Sequence, residues 1–268
     1  MSKKEKNTVP SEENPASDEV AAPPADVGPL FYRHPTALSS IAHASWKLRD
    51  GDFDFAAQVN SVPVVVGEFA VASRTYPIVF AGTDAAPLAL LGLEQENLFV
   101  NKGEWSADKY VPAYVRRYPF VFMHTTNPDG FALAIDTGSG RVAQDGAEGV
   151  PLFQDNQPAE VVRQAMQFCG AFTAEHQATR DFSEQLRSHD LLMDRQADVT
   201  LPNGRKLALQ GFQVVDAEKF SALPEAVVIE WHRKGWLGLV HFHLASLGRF
   251  TDLLSKQGER ESSRVSAD

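Results

Sequence analysis

The chain has one cysteine, Cys169, in 268 residues. This excludes an internal disulfide and, with it, the disulfide-stapled scaffolds of small secreted domains. It also excludes zinc and iron–sulfur centres that need several thiolates from one chain. No run approaches the roughly 18 unbroken apolar residues of a membrane-spanning helix, so no transmembrane segment is expected. Positive charge is in deficit: 25 Lys and Arg stand against 35 Asp and Glu, a formal net charge of -10. Such a surface repels phosphate backbones and anionic lipid, and nucleic acid is not an expected partner. Neither Gly-x-Gly-x-x-Gly nor Gly-x-x-x-x-Gly-Lys-Ser/Thr occurs, so the common nucleotide cradles are missing. Nothing in the sequence asks for a cofactor. The stretch Met1 to Glu13 is lysine-rich but lacks the roughly 7–15 apolar residues that follow the basic start of a secretory signal, which points to the cytoplasm.

The hydrophobic share, 43%, is enough for one substantial core or two small ones. Residues 1–29 hold five prolines (Pro10, Pro15, Pro23, Pro24, Pro29) and almost nothing large and apolar, and read as a disordered tail. The stretch 256–268 reads as a flexible C-terminal tail, leaving a folded region over 30–255. Within it, Val62–Val66, Pro77–Ala81, Leu88–Leu91, Leu98–Val100, Phe120–Met123 and Phe131–Ile135 are short apolar runs rich in Val, Ile and Phe, punctuated by Gly and Pro. They read as buried strands. Asp108–Arg117 reads as a short helix with Pro112 in its first turn.

Near Asn156 the period lengthens. Pro158 suits the first position of a helix on which Val161, Ala165, Phe168 and Phe172 recur, and a second helix is expected from about Asp181, with Phe182 and Leu186 a turn apart. Val199 to Leu207 then reads as a hairpin. A two-residue Asn203-Gly204 turn would put Val199 and Leu201 on the face opposite Leu207 and Leu209. A three-residue loop, Pro202-Asn203-Gly204, instead pairs Val199 with Leu207 and gathers the apolar residues on one face, with Gly204 left-handed, and is preferred for that reason. Pro224 opens a further helix, whose last turn holds His232, Arg233 and Lys234 and which Gly235 closes. Leu237, Val240, His241, Leu244 and Leu247 line a final one. The fold class is α+β: an N-terminal, mostly β part followed by helices with an inserted β-hairpin.

Several sets of residues carry a resemblance to a known family. They include Phe31-Tyr32, Asn60-Ser61-Val62-Pro63, Glu68-Phe69 with Tyr76-Pro77-Ile78-Val79-Phe80, and Asn97-Leu98-Phe99-Val100. Tyr110-Val111-Pro112-Ala113-Tyr114 with Arg116-Arg117-Tyr118-Pro119-Phe120, Pro151-Leu152-Phe153, Gly211-Phe212 with Val215-Asp216, and His243-Leu244-Ala245-Ser246-Leu247 complete it. Over roughly residues 31–254 the chain resembles the bacterial SapC family, associated with surface layers. The resemblance implies a binding or accessory protein of surface-layer or envelope assembly, with a protein or peptide partner. It brings no catalytic residues with it. The alternative is an enzyme of unknown reaction acting on a peptide or amino-acid derivative.

Ala134-Ile135-Asp136-Thr137-Gly138-Ser139 has the form of an aspartic-protease half-site, where two such carboxylates share a proton. The chain offers one copy, and no second strand ending in glycine follows before the helices. Gly138, Ser139 and Gly140 equally suit a turn at a strand end, so Asp136 reads as structural. His241 and His243 would share a face on a strand but diverge by about 200° on a helix, so no metal site is expected from them. His176 and His189 read as packed or boundary histidines, and Cys169 as a small buried hydrophobe. The candidate ligand-binding residues are Arg116, Arg117 and Tyr118, a basic and aromatic cluster able to grip an oxyanion, and the polar group Glu68, Arg74 and Tyr76 beside the first strands.

Overall fold

The apolar runs form two antiparallel sheets in a computed structural model of the chain, which describes residues 30–125, 130–144, 148–200 and 205–265, with backbone only at 197–200, 206–208 and 264–265. The main strands are β1 (Pro35–Ala37), β2 (Ser61–Pro63), β3 (Ile78–Ala81), β4 (Ala86–Leu90), β5 (Phe120–His124), β6 (Phe131–Asp136), β7 (Leu192–Thr200) and β8 (Lys206–Val215). The helices are α1 (Phe69–Ala72), α2 (Ala113–Arg116), α3 (Glu160–Ser188), α4 (Ala217–Ser221), α5 (Glu225–Lys234), α6 (Trp236–Ser246) and α7 (Arg249–Val265). One sheet has three strands in the order β1-β6-β5, the other five in the order β7-β8-β3-β4-β2. The class is α+β, and no helix among the described residues is long and apolar enough to cross a membrane.

Five of the six expected strands are present within a few residues of their predicted bounds; of Leu98–Val100, Leu98 and Phe99 lie in a turn and only Val100 is in a strand, a two-residue one paired with Glu104–Trp105. The hairpin register pairs Val199 with Leu207 and Thr200 with Lys206, the pairing that a three-residue loop dictates. The loop itself, Pro202-Asn203-Gly204, lies outside the described residues, as do residues 1–29. The hairpin is much longer than expected because a bulge keeps its faces in phase. Gln210 and Gly211 oppose the single Gln196, and Gly211 takes the positive φ, 80°, that such a bulge asks of glycine.

The helical part departs from the sequence reading in four places. The two helices expected from Pro158 and Asp181 are one helix of 29 residues, α3. The polar stretch between Phe172 and Phe182 contains neither Gly nor Pro, and Thr173 and Thr179 bond back to the carbonyls of Cys169 and Glu175 at 2.9 and 2.6 Å. Nothing there interrupts the ladder. Pro158 is not in the first turn: it pairs with Phe153 in a two-residue strand, and Ala159 is the N-cap. The expected helix 108–117 shrinks to α2, with Pro112 as its N-cap and Asp108 at φ 58°. The stretch from Lys256 is helix to Val265, with Gln257 buried and Arg260 bonded to Glu96 at 3.0 Å and to the Val100 carbonyl at 2.9 Å. By contrast, Pro224 and Gly235 bound α5 as read, Gly235 at φ 74°.

Helix α3 spans both sheets. Its first half (Val162, Ala165, Cys169) packs with Leu133, Ile135 and Phe120 of the three-stranded sheet. Its second half (Phe172, Phe182, Leu186) joins the larger core of the five-stranded sheet, which includes Phe80, Val214, Trp231 and Val240. The polar middle of α3 has a task of its own: Thr179 Oγ1 accepts from the Val66 amide at 3.0 Å, and Glu175 from the Gly67 amide at 3.1 Å.

Candidate functional site

Those two bonds place the turn that carries Glu68. Its carboxylate is buried, and it ties its own turn to the segment 110–113. Oε2 accepts from the Val65 amide at 3.1 Å, while Oε1 accepts from the Tyr110 hydroxyl at 2.7 Å and from the Ala113 amide at 2.6 Å. The last is an otherwise orphaned N–H at the start of α2. Tyr110 in turn accepts from Arg116 Nη2 at 3.0 Å, and burial beside the Glu68 carboxylate pushes its phenol up to about 12. Tyr76, fully buried, donates to the Tyr110 carbonyl and accepts from Trp105 Nε1. Glu68, Tyr76 and Arg116 thus belong to one network, which joins members of the two groups that the sequence reading kept apart. Arg74 does not join it and is exposed.

Tyr118 belongs to a second network, centred on Asp136. That carboxylate is fully buried and accepts from the His34 amide at 2.7 Å, the Gly138 amide at 3.1 Å and the Tyr118 hydroxyl at 2.9 Å. The first bond ties β1 to the end of β6, and the second closes the turn after it. Burial and the neighbouring carboxylate both hold the Tyr118 phenol far above its ordinary range. The Asp-Thr-Gly-Ser sequence is therefore a strand-ending turn, as read.

Tyr118 and Arg141 line two clefts, and Arg117 lines the smaller of them. The larger cleft, about 590 Å³, is polar and lined by Arg33, Asp50, Asp52, Asp54, Ser139 and Arg141 among others. The smaller, about 290 Å³, is lined by Arg116, Arg117, Arg141 and Gln164 over an apolar floor that includes Phe168. Arg141 is tied to the Arg49 carbonyl at 3.3 Å and the Tyr118 carbonyl at 3.4 Å, and burial lowers its basicity, against which Asp50 and Asp52 act. Arg117 lies over the Tyr114 and Phe172 rings at 4.2 and 4.5 Å, and its Nε is buried without an acceptor. Arg141 was not among the residues picked out from sequence. A lone arginine after a glycine turn has no periodicity to mark it, and its position depends on the pairing of Val142 with Leu48, which brings it beside Tyr118.

A third cleft, about 600 Å³, lies on the opposite sheet and is mainly apolar, with Met193, Phe212, Leu244 and Phe250 in its walls. Next to it is the buried histidine of α6, which is His243 and not His241; His241 is exposed. His243 Nε2 accepts from the Val215 amide at 3.0 Å, so its proton sits on Nδ1 and is donated to the Ile78 carbonyl at 2.9 Å. Burial lowers it to about 4. His189 packs edge-on against Trp231 at 5.7 Å, a boundary position as expected, whereas His176 is exposed on α3. Burial pushes the Cys169 thiol up to about 11, which keeps it protonated and unreactive. Among the described residues no three His, Cys, Asp or Glu groups converge to hold a metal ion.

The sequence model of the SapC family matches residues 38–253 of the chain. No curated protein matches it, and no solved structure does.

Proposed function

Taking as premise that the chain belongs to the SapC family, we propose that it is a non-enzymatic binding or accessory protein linked to bacterial surface-layer or envelope assembly. The observation that carries this reading is the commitment of its buried reactive groups. Asp136 holds two backbone amides and a phenol, Glu68 two amides and a phenol, and His243 bridges α6 to two strands. A general acid or base must reach a substrate proton; these groups are already saturated with partners that the fold needs. The smaller cleft offers a ligand arginines, which grip without reacting.

One observation favours a second reading, an enzyme acting on a peptide or amino-acid derivative. The cleft of about 590 Å³ gathers Asp50, Asp52, Asp54 and two arginines, and convergent polar groups in a cleft are the usual setting of catalysis. The test is to isolate the protein from its host after mild cross-linking, and in parallel to incubate it with a library of peptides and amino-acid derivatives. The expected result is one envelope or surface-layer protein cross-linked in fixed ratio, with no library member consumed. Turnover that disappears in Asp52→Asn would reverse the assignment.

A further inference from the structure

The three clefts differ in charge. The apolar groove has Arg195 opposed by Asp216 and Glu218, and the polar cleft sets Arg33 and Arg141 against three aspartates. The cleft of about 290 Å³ has Arg116, Arg117 and Arg141 in its lining and no Asp or Glu. In a chain with a net charge of -10, a cleft lined by three arginines and no carboxylate stands out, although Arg141 also feels Asp50 and Asp52 from the polar cleft. Among the described residues, the ion pairs are made by other side chains.

The three are also held in place before any ligand arrives. Arg116 lies over Phe168 at 5.1 Å and Tyr110 at 5.5 Å, and its Nε donates to the Val111 carbonyl at 3.0 Å. Arg117 is stacked on Tyr114 and Phe172, and Arg141 is tied to two backbone carbonyls. Stacking uses the flat faces of a guanidinium; Arg116 gives Nε and Nη2 to Val111 and Tyr110, and Arg141 gives Nε and Nη1 to two carbonyls, and the N–H groups beyond these are the ones an oxyanion would take. A site whose donors are already fixed loses little entropy on binding.

Below the arginines the floor is Leu48, Phe120, Val161, Ala165 and Phe168. The volume lies at the small end of ligand sites, which run from roughly 300 Å³ upwards, and suits a group of single-residue size. Building on the binding reading above, we propose that this cleft takes a carboxylate carried on a short apolar group, from either the C-terminal end of a peptide or a free hydrophobic acid. The carboxylate meets Arg116, Arg117 and Arg141, the apolar group lies on the Phe120–Phe168 floor, and Gln164 borders the opening.

The test is calorimetric titration of the full chain with N-acetyl-leucine, its amide, a pentapeptide acid ending in leucine, and inorganic phosphate. Saturable binding of an acid, with the amide weaker by about tenfold or more, is expected, since a charge-assisted hydrogen bond is worth a factor of that order. Tighter binding of the pentapeptide identifies a chain end as the source; tighter binding of N-acetyl-leucine identifies a free acid. The exposed Arg116→Gln should keep the wild-type melting temperature and lose about tenfold in affinity, and Arg117→Lys, which keeps charge but not the fork, should lose a similar factor. Equal binding of acid and amide, equal binding to wild type and Arg116→Gln, or phosphate binding as tight as the acid would each overturn the assignment. An envelope partner retained undiminished by Arg116→Gln would likewise remove the cleft from the account while leaving the binding reading in place. Loss of that partner from wild type and variant alike would strike the binding reading itself.

Discussion

The two ends of α3 rest on different kinds of interior. Towards Ser188, Phe182 and Leu186 meet Trp231, Phe69 and Phe80, and the rings of Phe182, Trp231 and Trp236 lie within 5.7 to 6.4 Å of one another. Towards Glu160, Val162, Ala165 and Cys169 cover a smaller apolar set, and around it stand Asp136, Tyr118, Arg117 and Arg141. The first interior removes large apolar area from water and leaves little to recognise. The second is held by hydrogen bonds of fixed direction and keeps three cations at its edge. The contrast separates the part of the molecule that supplies stability from the part that supplies recognition.

If that separation is real, the largest effect on stability comes from the apolar end. Trp231 is fully buried, and Trp231→Ala should cost about 3–5 kcal/mol, the usual loss for a large buried aromatic. Urea unfolding of the variant checks this, and a loss below about 1 kcal/mol would erase the contrast. The next effect depends on pH. His243 titrates at about 4 in the fold against 6.5 in its free form. Between those values the unfolded chain binds the extra proton. Stability from His243 is therefore complete above about pH 6.5 and declines as the pH falls towards 4, by roughly 3 kcal/mol in all. Unfolding curves taken across that range should show the decline in wild type and a flatter profile in His243→Gln.

The polar end answers to smaller changes. Asp136→Asn keeps an oxygen for the His34 and Gly138 amides but turns an N–H₂ towards the Tyr118 hydroxyl. A cost of about 1–2 kcal/mol is expected, in line with a disturbed buried hydrogen bond to a charged group. The Tyr118 phenol, held high partly by that carboxylate, should then ionise at lower pH, which an alkaline absorbance titration reads directly. Smallest of all, Arg116→Gln should move stability by less than about 0.5 kcal/mol, because the side chain is exposed. A large loss there would make Arg116 part of the scaffold.

Legibility in the sequence follows the same division. Strands such as Ile78–Ala81 and Phe120–His124 are short apolar runs between Gly and Pro, and that pattern alone locates them. The hairpin register follows from keeping Val199 and Leu207 together, and α5 from its Pro224 and Gly235. The continuity of α3 was hidden because its middle is polar, and the reason that middle is helical lies elsewhere, in the Val66 and Gly67 amides it serves. Pro158 looked like a helix start because a local rule favours it there, yet its partner is Phe153 across a turn. Of the candidate site, Glu68, Tyr76, Arg116, Arg117 and Tyr118 could be picked out as polar or basic residues among aromatics. Asp136 was visible as a motif that includes its partner Gly138, but its other two partners, His34 and Tyr118, come from outside it. Arg141 reaches the cleft through strand pairing, a long-range fact that no local pattern encodes.

The most direct test of the division is a whole-chain map of where a ligand touches. The isotope-labelled protein, titrated with N-acetyl-leucine, should show shifts centred on the side chains of Arg116, Arg117 and Arg141 and on the amides of Tyr118, Val161 and Gln164. The groove at Met193, Phe212 and Phe250 should stay unchanged. Shifts centred on that groove, or none at the arginines at saturating ligand, would contradict the account.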